Sequence, residues 1–487
     1  MCVPQGFGTC EQGVYTFFCA YMFMLDSFPA ARMQYMLEIS SAAVLLYDEI
    51  PSVVSDEISP CQAFKLPEGE VDGYVDRPIN DDGLTNILFT SGSTGQPKGV
   101  MLRHRSVSNL FSQMRTLLEP IEGNVLCSTN SVFDCFVVET IISLALGRTV
   151  VLADEEEMML PWKLAQLIET HKTGVFEMTP TRLQMCLGNE AFCDAAKYIN
   201  IVLLGGEVVT TTLRDKFYKY SSGKLMNMYG PTEACVFTTM EYLEPECHIT
   251  IGSPLQNTRT YVLDEDMRPV LPTAQGEMYI AGECLSAGYV GRPDITESSF
   301  VDDIYFPGQK MYRSGDLVRL RLDGRFDYIG RKDQQVKLNG QRVELGEITH
   351  VIEQTGLVKK AATVAIETGG TTTRLHAFFV PERNETDCNA IRSAISNQLP
   401  AYMIPSEWTR LQEMPLTATN KVDMQTLKKM AEGSVNVTPE LTPAAEEVFE
   451  AAATSAPSVS EAPGSLILTI TGKFTASHVL CPRFTLF

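Results

Sequence analysis

Basic residues are scarce in this chain. Its 487 residues include 39 Lys and Arg against 60 Asp and Glu, a formal net charge of −21. Such a chain has no net attraction for a phosphate backbone, which argues against dedicated nucleic-acid binding and leaves only a local basic pocket for a small anion. Metal-ligand spacing is also missing. None of the 13 cysteines forms a CxxC pair and the six histidines do not accompany them. That speaks against a zinc site or a disulfide framework and for thiols in a reducing, cytoplasmic compartment. Long apolar runs are absent as well. Gly13 to Leu25 is too short for a membrane span and lacks the basic segment that opens a secretory signal. Glycine (34) and proline (26) are at ordinary levels, which argues against a fibrous or mainly unstructured chain, and no internal repeat is present. What is plentiful is apolar residues, at 44%, enough for a large buried core. The length predicts roughly two to four domains.

The first stretch, Met1 to Leu25, is rich in Phe, Met and Cys without a clear period. Pro29 then opens a predicted helix, Ala42 to Tyr47 reads as a short buried strand, and the acidic, proline-punctuated Asp56 to Asp82 reads as a loop. Apolar strands at Ile87–Thr90, Thr149–Leu152, Gly174–Met178 and Ile201–Leu204 alternate with helices at Ser106–Leu118, Trp162–Thr170, Pro180–Leu187 and Thr212–Tyr218. This alternation predicts an α/β fold with mixed sheets and crossover helices. After Ile251 closely spaced short strands (Thr260–Leu263, Glu277–Ala281, Leu317–Leu322, Phe326–Ile329) predict a β-rich subdomain. The expected division is a large domain over 1–332, a small mobile C-terminal α/β domain over 333–430, and a tail over 431–487. Ala431 to Gly464 carries six Glu and no Lys or Arg, so it is expected to be disordered.

The segment with most chemistry is LFTSGSTGQPKGV, Leu88 to Val100. An apolar strand ending at Thr90 runs into a loop of hydroxyls (Ser91, Ser93, Thr94) and glycines (Gly92, Gly95, Gly99), followed by Lys98. Small residues let backbone N–H groups approach a polyphosphate, hydroxyls add donors and the lysine adds a point charge. It is not a GxxxxGK[ST] loop, and Pro97 disfavours the helix start which that motif requires. Further on, NMYGPTEA (Asn227–Ala234) sets Tyr229 beside a Gly-Pro turn, where it could stack on a purine. Glu233 is a hard oxygen ligand suited to Mg²⁺, and equally a helix N-terminal acid. In MYRSGDLVR, Asp316 could accept from both ribose hydroxyls or close an Asx turn.

Taken with FDCFVVE (Phe133–Glu139), GEMYIAGECLSAGYVGRPDITESSFV (Gly276–Val301), GRFDYIGRKDQQVKLNGQRVELGEI (Gly324–Ile348), PAYMIPSEW and PLTATNKVD, these strings resemble the adenylation domains of nonribosomal peptide synthetases, within the adenylate-forming superfamily. The order and spacing agree from Phe28 to about Met430. The resemblance implies a ligase that uses ATP and Mg²⁺ to convert an amino acid to aminoacyl-AMP with release of pyrophosphate. The acyl group then passes to the thiol of a phosphopantetheinyl carrier protein; neither nucleic acid nor membrane is involved. It implies nucleotide contacts from Ser91, Gly92, Ser93, Thr94, Gly95, Gly206, Glu207, Asn227, Tyr229, Gly230, Thr232, Asp316, Tyr328, Arg331 and Lys337. Glu233 is the implied metal ligand. Catalytic roles are implied for Thr90, Lys98, the hinge Asp333 and a mobile lysine, Lys421, which here follows ATN rather than the commoner glycine. Asp134 is the implied partner of the substrate α-ammonium, although FDCF also permits a helix cap. The implied side-chain pocket adds Cys135, Val138, Glu177, Leu203, Gly205, Met228, Val236 and Phe237. Most of these are apolar. Glu177 either pairs with a basic side chain or sits at the pocket edge with water.

Relative to the resemblance, the N-terminus is expected to be truncated, with Met1 to Leu25 unmatched. No Gly-Gly-x-Ser carrier site follows Lys421, no His pair marks a condensation domain and no GxSxG marks a thioesterase. Two alternatives stand beside amino-acid activation: an acyl-CoA ligase of the same superfamily, and a non-catalytic nucleotide-binding remnant.

Overall fold

The computed structural model describes residues 2–3, 20–25, 27–47, 62–65, 80–92, 96–333, 335–338, 341–368, 371–383, 385–417, 422–433 and 467–468. Four sheets organise them, and the fold is mixed α/β as expected. The largest sheet has a parallel centre in the order Lys224–Tyr229, Ile201–Leu204, Thr173–Met178, Asn124–Cys127, Val150–Leu152. Thr239–Tyr242 adds antiparallel to one side and Ile467–Leu468 to the other. Every residue of Thr173–Met178 and Ile201–Leu204 is buried, as strands covered on both faces must be. One face packs Val175, Ile201, Leu203, Met226 and Met228 into the main core. The other packs Phe176, Val202, Leu204 and Leu225 against Leu164, Ile168, Phe192 and Phe217 of the crossover helices.

Local chemistry explains the helix bounds. In His104–Leu118 the buried residues Val107, Leu110, Phe111, Met114, Leu117 and Leu118 recur every three or four positions, leaving Ser112 and Arg115 outside. Pro161 starts the next crossover helix, Pro161–His171, which ends where Lys172 turns left-handed at φ 51°. Thr179 caps Pro180–Cys186 through Arg182 N, and Thr210 caps Thr211–Tyr220 through Leu213 N.

A second sheet holds the antiparallel pair Leu84–Thr90 and Lys98–Arg103. A third combines Thr258–Leu263, Gln275–Gly282, Phe300–Asp302, Lys310–Leu320 and Phe326–Arg331. This is the expected β-rich part. It shares its core with the parallel sheet through Met278, Ile280, Tyr312 and Phe326. A fourth sheet, Gln335–Leu338, Gln341–Glu344, Val358–Thr368, Thr371–Pro381 and Glu407–Arg410, carries its own core around Val343, Ile348, Ile352, Phe379 and Ile391.

Two expectations need correction. Asp56 to Asp82 is not loop throughout: Gln62–Lys65 is a strand parallel to Val44–Tyr47. Pro60 and Pro67 lie outside those four residues in the sequence. Near the start of the chain, Met22 packs with Phe28, Met33, Met36 and Ile87. The tail over 431–487, expected to be disordered, is not so throughout: Ala431 ends the helix Met424–Ala431 and Ile467–Leu468 is a strand; 434–466 and 469–487 lie outside the described residues.

Phe217 is fully buried between the parallel sheet and its crossover helices. Phe217→Ala is expected to cost about 3–5 kcal/mol, read as a lower urea midpoint for the transition of this sheet.

Candidate active site

Three parallel strands end side by side at Met178, Leu204 and Tyr229. Beyond their carboxyl ends lies a cavity of ≈ 560 Å³, the place where open α/β sheets hold ligands. It brings together Thr90, Ser91, Asp134, Cys135, Glu177, Gly205, Gly206, Met228, Tyr229, Gly230, Thr232, Val236, Phe237, Asp316, Arg331 and Lys337. A second cavity of ≈ 540 Å³ shares Gly206, Tyr229, Arg331 and Lys337 and adds Glu207, Asn227, Tyr328 and Asp333. These residues span the chain from 90 to 337, so the fold assembles most of the expected site.

Five expected residues do not line these cavities. Val138 and Leu203 are buried hydrophobics behind the wall. Gly92, Lys98 and Glu233 lie in the contact between the second and fourth sheets instead. Ser93, Thr94, Gly95 and Lys421 lie outside the described residues.

The turn after the strand Lys224–Tyr229 is held tightly. A Cβ on Gly230 would come within 2.4 Å of Val236 O. Cys235 and Val236 both sit at positive φ, 57° and 68°, an unfavourable conformation for a β-branched side chain. Hydrogen bonds Thr238 N→Tyr229 O (2.8 Å) and Phe237 N→Cys235 O (2.9 Å) keep them there. Thr232 and Phe237, on either side of this pair, line the cavity, and nothing in the local sequence signals the positive φ.

Asp134 combines both readings of its motif. Its Oδ1 accepts from Cys135 N at 2.9 Å, capping the short helix Cys135–Val137, and its Oδ2 accepts from Thr232 Oγ1 at 2.7 Å. Burial raises its pKa, with the Thr232 hydroxyl acting against that. Asp316 accepts from Tyr229 Oη at 2.6 Å, Tyr328 Oη at 3.3 Å and Arg331 at 3.2 Å. Arg331 also pairs with Asp333. Burial works against the Asp333 charge, but the Arg331 guanidinium outweighs it and its pKa falls.

Glu233 is fully buried. Its oxygens accept from Tyr289 Oη at 2.7 Å and Arg342 Nη1 at 2.8 Å. Burial alone would raise its pKa; Arg342 first and Lys98 second pull it down to about 2. Lys98 stands 3.8 Å from Glu344 and over the Tyr289 ring, and burial lowers its pKa. Glu347 accepts from Gly92 N at 3.0 Å and pairs with Arg32 at 3.3 Å, while Ser91 Oγ donates to Arg342 O at 2.9 Å. Arg342, Glu347, Tyr289 and Arg32 were not singled out in the sequence. The first two lie in NGQRVELGEI, whose alternating charges alone look like a solvated hairpin. Among the described residues no three Asp, Glu, His or Cys side chains gather as a metal site. A single carboxylate still fits Mg²⁺, which binds through one or two carboxylates plus substrate phosphates. In this arrangement Arg342 stands at the cation position of Glu233.

Comparison with known proteins identifies the family. Residues 9–290 match the family model of AMP-binding enzymes, so the match begins inside the stretch that carried no recognised motif. The chain belongs to the AMP-binding enzyme family. It is 35% identical over 425 residues to a dimodular nonribosomal peptide synthase of Bacillus subtilis (strain 168), covering 84% of this chain and 18% of that protein. It therefore spans under a fifth of that relative's length, and 6% of tyrocidine synthase 3 of Brevibacillus parabrevis. Its fold resembles a holo nonribosomal peptide synthetase protein containing adenylation and PCP domains, with TM-score 0.72, 25% identity, and coverage of 84% of this chain and 70% of that one. It also resembles the Vibrio cholerae adenylation domain AlmE, solved with glycyl-adenosine-5'-phosphate, with TM-score 0.73, 21% identity, and coverage of 85% and 84%. Among the described residues no helix is long and apolar enough to cross a membrane, and the described cysteines are free thiols.

The Glu233 pair should leave an acid signature. The folded pKa of about 2 lies below the ordinary 4.5. The stabilisation is therefore complete above pH 4.5 and is lost as pH falls toward 2, a contribution on the order of 3 kcal/mol. Arg342→Met is expected to raise the Glu233 pKa and shrink that acid-side loss, measured as urea midpoints of both proteins across this pH window.

Proposed function

We propose that the chain activates an amino acid as its adenylate, using ATP and releasing pyrophosphate, for transfer to the thiol of a carrier protein in the cytoplasm. The observation that carries this reading is Asp134. A half-buried carboxylate shares one cavity with Ser91, Tyr229 and Asp316, and it is anchored to Thr232 of the Tyr-Gly-Pro-Thr turn. A substrate seated there would place its α-ammonium on Asp134 and its carboxylate toward the α-phosphate. The free thiols and the absence of a membrane-spanning helix among the described residues are compatible with the cytoplasm.

The chemistry asks little covalent work of the protein. The substrate carboxylate attacks the α-phosphorus in line and pyrophosphate departs, so positioning and charge neutralisation do most of the catalysis. Tyr229 would stack on the adenine and Asp316 would take the ribose hydroxyls, each giving up its present bond to the other. Ser91 and the loop that follows it would donate to phosphate oxygens. Mg²⁺ held through Glu233 and the phosphates would neutralise phosphate charge. Lys421 would contact the developing adenylate, with Asp333 as the hinge that lets it approach. Exchange of labelled pyrophosphate into ATP, dependent on an added amino acid, tests the reading. A protein that exchanges with no amino acid would defeat it.

Two substitutions sharpen this test. Lys421→Ala is expected to remove most exchange while leaving ATP affinity nearly unchanged, because the lysine acts on charge that develops in the transition state. Equal losses of affinity and rate would refute that role. Asp134 should make the wild type discriminate against the des-amino analogue by about two to four orders of magnitude, and Asp134→Ala should lose the amino acid. Equal activation of both acids by the wild type would favour a coenzyme A ligase instead.

A further inference from the structure

Glu177 is a carboxylate in an apolar wall. It lies near the end of the central strand Thr173–Met178, in parallel register with Leu203, which is itself in register with Met226. Side chains in register share a face, so Glu177 projects beside Val175, Leu203 and Met226, all buried in the main core. It is 5% exposed, and neither carboxylate oxygen accepts from an N–H or O–H group. The Cys135 thiol, a weak donor, is the one neighbour that favours its charge. A buried carboxylate left this way is costly.

The neighbouring charges add to the cost. Glu139, 1% exposed, uses Oε2 to accept from Ser128 N (3.2 Å) and Thr129 N (2.9 Å) and leaves Oε1 without a partner. Asp134 is already engaged by Thr232 and Cys135. Burial first, then repulsion from Glu139, raises the Glu177 pKa. The cations Arg182 and Lys337 line the same cavity, and neither is paired with Glu177; Arg182 keeps only its Nε without a partner. Arg182 donates to Ser128 O and Met158 O at 3.4 and 2.5 Å and acts on Glu139, and Lys337 acts on Asp134 and Asp316. The two Glu177 oxygens therefore stand in the cavity wall with no N–H or O–H donor among the described residues, the weak Cys135 thiol aside.

Resting on the amino-acid-activating reading, we propose that the substrate carries a cationic side chain, an ammonium or guanidinium, which Glu177 binds in the cavity wall while Asp134 holds the α-ammonium. An ammonium brings three N–H donors and a guanidinium five, and neither brings an acceptor. A neutral amide brings two donors but no charge to set against the carboxylate. Met228, Val236 and Phe237 give the aliphatic stem an apolar channel.

The test is pyrophosphate exchange by the wild-type chain with ornithine, lysine and arginine, each against a neutral counterpart: norvaline, norleucine and citrulline, with glutamine as a further amide. At least one cationic amino acid should exceed its counterpart by on the order of a hundredfold in kcat/KM, and Glu177→Gln should reduce that ratio to a few-fold. The wild-type comparison decides even if the variant does not fold. A neutral amino acid preferred by the wild type, or a cation preference that survives in Glu177→Gln, overturns the proposal and leaves amino-acid activation standing. Exchange with no amino acid, together with no calorimetric binding of any of them in the presence of AMP, defeats the activation reading and this proposal with it.

Discussion

A fully buried carboxylate must find a cation or give up its charge. Glu233 finds Arg342, which the fourth sheet delivers from 109 residues further along the chain. Around that pair the rest of the contact forms: Lys98 faces Glu344, Glu347 accepts from Gly92 N and pairs with Arg32, and Ser91 reaches Arg342 O. Each is a polar or charge-assisted bond in a dry environment, strong while its geometry holds. Each also uses a donor or acceptor suited to phosphate oxygens or their counter-ion. The hairpin and a bound polyphosphate thus draw on the same groups.

The parallel sheet sets the position of everything else. Its three central strands end together, and their carboxyl ends supply Glu177, Gly205, Met228 and Tyr229 to one cavity. Burial on both faces fixes the register of these strands, so a substitution in the core behind them moves the cavity wall as well. The strained turn at Cys235 and Val236 shows where this rigidity is spent: two residues at positive φ are tolerated because the packed strands on either side leave them no alternative.

Much of the architecture was legible in the sequence. Strands such as Ile201–Leu204 and helices such as His104–Leu118 follow from apolar runs and periodicity, because burial on a sheet or a helix face imposes those patterns. The strand Gln62–Lys65 was not, since four residues of mixed polarity between prolines carry no periodic signal. Lys224–Tyr229 was missed as an element for a related reason. Its Asn227 interrupts the apolar run, and only the fold reveals that the Asn227 amide is satisfied by Thr250 O.

Within the site, the residue types were set by the sequence alone: hydroxyls and glycines after an apolar strand, an acid after an aromatic, a tyrosine beside a Gly-Pro turn. Those chemistries are local and readable residue by residue. Only the tertiary structure decided how the charges pair. Arg342 on Glu233, Tyr229 on Asp316 and the solitary Glu177 between Glu139 and the cavity are long-range relations. A charge's partner, and whether it has one, depends on distance and on exclusion of water, and neither is written in the order of the residues.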